Sequence, residues 1–213
     1  MPKRRQEGGD ETARRERILN AAFTAFMKSG YAAASMLEIA TGARVSKREL
    51  YALVGNKQQM LIACIRERAK RFDVPANLPV LRVRETLAQV LASFGTKVIR
   101  EASDPTVIAV FRLAISEVTH APEVARALDS IARERSRAAL RKIMAGAQAS
   151  GLLTGQPAEL AKQFAGLLWC DLQVSLLLGV AKRPNPREIA RHARNAAAAL
   201  LQLHPLPNEA PVS

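Results

Sequence analysis

The sequence predicts an all-α protein, with an N-terminal three-helix unit containing a helix-turn-helix followed by a longer C-terminal helical bundle. Three observations carry this. Apolar residues recur at helical spacing, and no stretch alternates as a strand would. Helix-capping signatures crowd residues 35–59. Pro105, Pro122, Pro157 and Pro186 each stand where a first helical residue is expected, a position at which the missing N–H costs nothing.

In residues 11–29, Ile18, Ala22 and Phe26 form one stripe with Leu19 and Phe23 beside it, and Gly30 supplies the stop. Ser35-Met36-Leu37-Glu38, Ser46-Lys47-Arg48-Glu49 and Asn56-Lys57-Gln58-Gln59 are three capping boxes in quick succession. They predict short helices at 35–42, 46–53 and 57–72. Residues 73–80, with two prolines and no periodicity, read as a linker. Longer helices follow at 81–102, 105–119, 122–150, 157–181 and 186–203, the last with Asn185 as cap. The expected organisation is a disordered basic arm at 1–10 and a helix-turn-helix unit at 11–56, with the motif itself at 35–54. A connecting helix at 57–72, a C-terminal domain at 73–203 and a disordered tail at 204–213 complete it.

The 213 residues carry 32 basic and 19 acidic side chains, a net charge of +13. Residues 1–72 hold 15 of the basic and 7 of the acidic groups, so a third of the chain carries most of the excess. A polyanion is therefore the expected partner of the N-terminal unit. Aromatics, at 4%, are too sparse for the stacking platforms that bind single strands. Cys64 and Cys170 have neither metal spacing nor the density of a disulfide framework. Their apolar neighbours suit small hydrophobes in a reducing compartment. His120, His192 and His204 are scattered, and the chain contains no H-E-x-x-H, G-x-S-x-G or phosphate-loop motif. No enzyme activity, cofactor or metal is expected. The N-terminus lacks a secretory apolar core, and the most apolar stretch, 164–180, is short for a span and carries Asp171 and Gln173. A cytoplasmic protein without a membrane partner is the expectation.

The helix starting at Ser46 follows a short helix and a tight turn, the order of a groove-reading helix. Lys47 and Arg48 in its first turn can reach guanine O6/N7 or a phosphate, and Tyr51 lies one turn on, in reach of a phosphate. Lys57, at the next helix start, can neutralise a backbone charge, and Ser35 and Ser46 are caps able to touch phosphate. Glu49 either completes the box with Ser46 or accepts from cytosine N4. Arg44 stands in the turn, where it either contacts phosphate or is merely exposed.

Arg17–Leu61 closely resembles the DNA-binding domain of the TetR family of transcriptional regulators. The resemblance rests on Ile18–Phe26, Gly30-Tyr31, Ser35 to Ile39-Ala40, Val45-Ser46-Lys47, Leu50-Tyr51, and Lys57 with Met60-Leu61. The stretch from Phe111, FRLAISEVTHAPEVARAL, also resembles the C-terminal domain of AefR-like members. The resemblance implies an α-helical homodimer, a reading helix at 46–53 and a C-terminal domain for ligand binding and dimerisation. The sequence departs from the family pattern at Arg44, where glycine is usual in the turn, at Arg48, where a small residue is common, and at Val54 in place of an aromatic.

In the bundle, Phe94, Phe111, Met144, Phe164 and Trp169 lie on apolar stripes, read either as plain core or as the wall of a ligand pocket. Glu117, His120, Asp171 and Gln173 are its candidate polar members. Leu160, Leu167, Leu168, Leu172, Leu176, Ala193 and Ala197 on the last two helices are the candidate seam with a twofold mate. The reading that follows is a dimeric repressor, released from a pseudo-palindromic operator by a small molecule. An effector-independent activator or architectural DNA binder, and a basic amphipathic protein on anionic membranes, are the alternatives.

Overall fold

The structure, a computed structural model, describes residues 3–70 and 81–206, with 3–9 described by their backbone only. The expected linker at 73–80 and most of the expected tail, from 207, lie outside the described residues. Among the described residues every regular element is helical. The chain divides into two compact units, 1–70 with 109–132 and 71–108 with 133–213, which cut across the linear division expected at residue 73.

The first unit holds α1 (Lys3–Ala33), α2 (Met36–Ala43), α3 (Lys47–Val54) and α4 (Lys57–Ala69). Because α1 begins at Lys3, residues 3–10 are helical rather than a disordered arm. Gly30 breaks α1 at φ 78, a left-handed value that glycine adopts without penalty, and the chain then turns toward α2. Ile18, Leu19, Ala22, Phe23 and Phe26 meet Ile39, Ala40 and Leu50 in one apolar cluster, with Val45 packed partly against it. Helical spacing and the turn thus bury each other's apolar faces. Arg68 of α4 covers the Phe23 ring at 3.3 Å. Cys64 donates its thiol to the Leu19 carbonyl at 3.3 Å, and burial pushes that thiol up to about 12. Val110, Leu113, Val124 and Leu128 join the same cluster. They come from the end of α6 (Pro105–Ser116) and from α7 (Pro122–Ala127) with the π-helical turn that follows it.

The second unit holds α5 (Arg84–Ala102), the start of α6, α8 (Glu134–Ala149), α9 (Pro157–Trp169), α10 (Leu172–Leu178) and α11 (Pro186–Leu203). Its core contains Leu87, Leu91, Ile99, Ile143, Met144, Phe164, Leu168, Ala193 and Leu200. Gly95 lets α5 approach α11: a Cβ there would lie 3.1 Å from Ala193 Cβ and 2.8 Å from Leu168 Cδ1. Arg84 ties the unit's ends by donating to the carbonyls of Leu152 (3.1 Å), His204 (2.9 Å) and Leu201 (2.6 Å). The continuous helix expected at 157–181 is broken. Cys170 adopts φ 39, ψ −120, which ends α9 and re-aims the chain into α10. Left-handed backbone at a residue with a Cβ costs about 1–3 kcal/mol. Nothing in the local sequence announces the break, since cysteine carries no turn signal.

Candidate DNA-binding face

The turn between α2 and α3 is built by local rules. Ser35 Oγ accepts from the Leu37 N–H at 3.2 Å and starts α2. Arg44 closes it in the left-handed region, φ 56, ψ 47, donating its N–H to the Thr41 carbonyl at 3.1 Å, while Val45 donates to Ala40 O at 3.1 Å. So the position where relatives of this motif carry glycine does require that conformation here, at a cost to arginine of about 1 kcal/mol. Ser46 then caps α3. Its Oγ accepts from the Glu49 N–H at 3.1 Å, and Glu49 Oε2 accepts from both the Ser46 N–H and its hydroxyl at 2.8 Å. A second reciprocal box, Asn56 with Gln59 at 2.9 Å each way, starts α4.

Ser35, Arg44, Ser46, Lys47, Arg48 and Tyr51 are all exposed, the polar ends standing away from the buried Leu50 and Val54. Glu49 and Lys57 are half-buried and engaged with the protein itself. Hydrogen bonds from Ser46, backbone first and hydroxyl second, hold the Glu49 carboxyl below its ordinary range against a smaller opposing effect of burial, and the nearby Arg14 charge adds to the lowering. Arg14 Nη1 lies 3.6 Å from Glu49 Oε1, linking α1 to α3 across 35 residues. That carboxylate is thus taken up as a capping group. The sequence reading missed Arg14, whose contact crosses three elements and leaves no local signal. It also missed Leu37, a 66% exposed leucine on α2 whose neighbour one turn on, Thr41, is exposed too.

Lys57 Nζ donates to the Ala32 carbonyl at 2.8 Å and lies 5.1 Å from the centre of the Tyr31 ring. Burial lowers its affinity for a proton, with Glu117 opposing, and burial likewise raises Tyr31, helped by Glu123 and Glu117. The ammonium thus braces the segment between Gly30 and Ser35.

The expected pocket residues divide between the two units. Phe94, Met144 and Phe164 are interior packing of the second unit, and Trp169 packs partly against that core. Phe111, Glu117 and His120 belong to the first unit, Phe111 against its apolar cluster and His120 exposed. Asp171 is exposed and accepts from the Ser175 hydroxyl at 2.7 Å; Gln173 is half-buried. The expected twofold seam also needs correction. Leu160, Leu168, Leu176, Ala193 and Ala197 are each at most 5% exposed, consumed by contacts within their own chain. Leu167 and Leu172 remain half-buried. The apolar side chains actually left outside include Val174, Leu178, Val180 and Leu203. Among the described residues no helix is long and apolar enough to cross a membrane.

A cationic first turn, exposed on a short capped helix behind a tight turn, defines a helix-turn-helix DNA-binding regulator. Residues 18–64 match the family model described as bacterial regulatory proteins of the tetR family, and residues 89–203 match the AefR-like transcriptional repressor C-terminal domain. The chain belongs to the TetR family of transcriptional regulators, in its AefR-like branch. Similar solved structures include a protein from Mesorhizobium loti described as a TetR-family regulator, 24% identical, covering 92% of this chain and 98% of that one at a TM-score of 0.76. A TetR regulator from Agrobacterium tumefaciens is 24% identical over 89% and 94% of the two chains, TM-score 0.74. The Flavonoid-responsive Regulator FrrA is 23% identical over 91% and 98%, TM-score 0.77. A comparison with curated proteins finds no match.

Proposed function

We propose that the chain is a homodimeric repressor of the cytoplasm, without enzymatic activity, that binds a pseudo-palindromic operator and leaves it when a small-molecule effector binds. The observation that carries this is the exposed pair Lys47 and Arg48 at the capped start of α3. They read base edges in the major groove, with Tyr51 on a phosphate. Arg44, Ser35 and Ser46 contact phosphates beside them. Leu37 meets sugar or a thymine methyl. In a twofold dimer the two copies of α3 enter successive grooves about 34–36 Å apart. The dimer forms through the last helices, using Leu167 and the exposed apolar residues the core leaves free, chiefly Val174, Leu178 and Val180. The effector role draws on the flavonoid response that the name of FrrA declares.

Selection of genomic fragments with the purified protein, followed by footprinting, tests the reading. A protected site with two similar half-sites is expected. Binding with a single half-site or with no sequence preference would overturn the dimeric-operator reading. A footprint indifferent to cell extract would favour the effector-independent alternative.

A further inference from the structure

A groove of about 380 Å³ lies within the second unit, between the start of α10, the loop after it and the first turns of α11. That size is at the lower end of the usual range for small-molecule sites. Leu172, Pro184 and Ile189 supply its apolar lining, and Arg191, His192 and Asn195 line it with polar groups. Arg191 and His192 stand four and three residues before Asn195 on α11, and all three line the groove.

Arg191 and Asn195 have donors available to a ligand. Neither the Arg191 guanidinium nor the Asn195 amide has a hydrogen-bond or ion-pair partner among the described residues. His192 Nε2 lies 2.8 Å from the Leu168 carbonyl oxygen, which can only accept, so Nε2 carries the proton. Glu188 also lines the groove, and its Oε2 accepts from the Asn185 N–H at 2.8 Å as the helix cap. Between 182 and 194 the only acid is Glu188; Arg183 lies 3.9 Å from Asp104, which leaves Lys182, Arg187, Arg191 and Arg194 to make the local field favour an anion.

We infer that this groove binds a small organic carboxylate, with its carboxylate on Arg191 and Asn195 and its apolar body on Leu172, Pro184 and Ile189. Arginine suits a carboxylate because its planar fork matches two oxygens. The groove also touches a strained junction. His192 holds the last turn of α9 through Leu168, two residues before Cys170 and its left-handed backbone. Trp169, the single tryptophan of the chain, lies between those two residues. A ligand seated against His192 therefore acts on the α9–α10 break. As the effector's place of action this rests on the repressor reading above; the binding itself does not.

The test uses the full chain and three probes: benzoate, octanoate, and benzamide as the uncharged counterpart of benzoate. Equilibrium dialysis and Trp169 emission are followed together. Saturable benzoate or octanoate binding is expected, with a dissociation constant at or below about 1 mM. Arg191→Gln weakens it about tenfold or more, Asn195→Ala less, and Arg126→Gln in the first unit leaves it unchanged. No saturable binding of either carboxylate, benzamide binding as tightly as benzoate, or binding unaffected by both groove substitutions overturns the site. Operator affinity is then measured with each carboxylate at saturation. Carboxylate binding that leaves operator affinity unchanged overturns the effector role while the site stands. Carboxylate binding by a protein that selects no operator overturns the repressor reading alone.

Discussion

Two helices of this protein start alike and differ in use. The eight-residue α3 and the 18-residue α11 each open on a reciprocal capping box, Ser46 with Glu49 and Asn185 with Glu188. In both, the acid is spent on the cap while arginines or lysines stand free in the following turns. The difference lies in what surrounds them. Around α3 the exposed groups from α2 and the turn, Ser35, Thr41 and Arg44, are polar apart from Leu37, which suits a long polyanion touched at many points. Around Arg191 apolar side chains of Leu172, Pro184 and Ile189 line the same groove, which suits a compact anion with a greasy body. Positive charge alone does not say which anion is read; the neighbours of the charge do.

Substitutions can separate the two. The largest effect is expected at α3: Lys47→Ala and Arg48→Ala each cost about 1–3 kcal/mol of operator affinity, confined to particular base pairs if the contact is to base edges. Competition against operators varied one position at a time reads this, and Arg191→Gln leaves the same affinity unchanged without effector. Gly95→Ala is next, lowering stability by about 1–3 kcal/mol through overpacking against Ala193, less the helix-propensity gain of alanine. Denaturant titration reads it; a rise in stability would mean that α5 and α11 approach less closely than described. Ser46→Ala removes the cap of the reading helix at about 1 kcal/mol in the same titration. Arg44→Gly exchanges about 1 kcal/mol of left-handed strain for a similar loss of unfolded-state restriction, so its melting point hardly moves. Its operator binding falls, and the salt slope drops by about one. The smallest effect is in pH. The Glu49 carboxyl has a lower pKa folded than unfolded, so its contribution is present above the ordinary carboxylate range and fades as pH falls through the folded value. Glu49→Gln flattens that part of the acid limb in a stability–pH series.

How far the sequence could be read follows the same division. Caps were legible because Ser35, Ser46, Asn56 and Asn185 act on groups two or three residues away. The family's glycine marked the turn position at Arg44, but whether an arginine there keeps the left-handed backbone was not legible and comes from the structure. Apolar periodicity located Leu168, Leu176, Ala193 and Ala197 on buried faces but could not say which surface buries them, and they turned out to be covered by their own chain. The break at Cys170 was invisible, because its residue carries no turn preference. The membership of 109–132 in the first unit depends on contacts with residues some 50 positions or more away, beyond any local pattern.

The contrast between the two thiols has a practical consequence. Cys64 is sealed inside the first unit with its proton held tightly, whereas Cys170 stands exposed on the kinked backbone between α9 and α10. A maleimide dye added to the native protein attaches at one address, beside the tryptophan. Without any engineered residue, the chain thus comes with a single natural handle for fluorescence on the segment whose movement matters most to the ligand question.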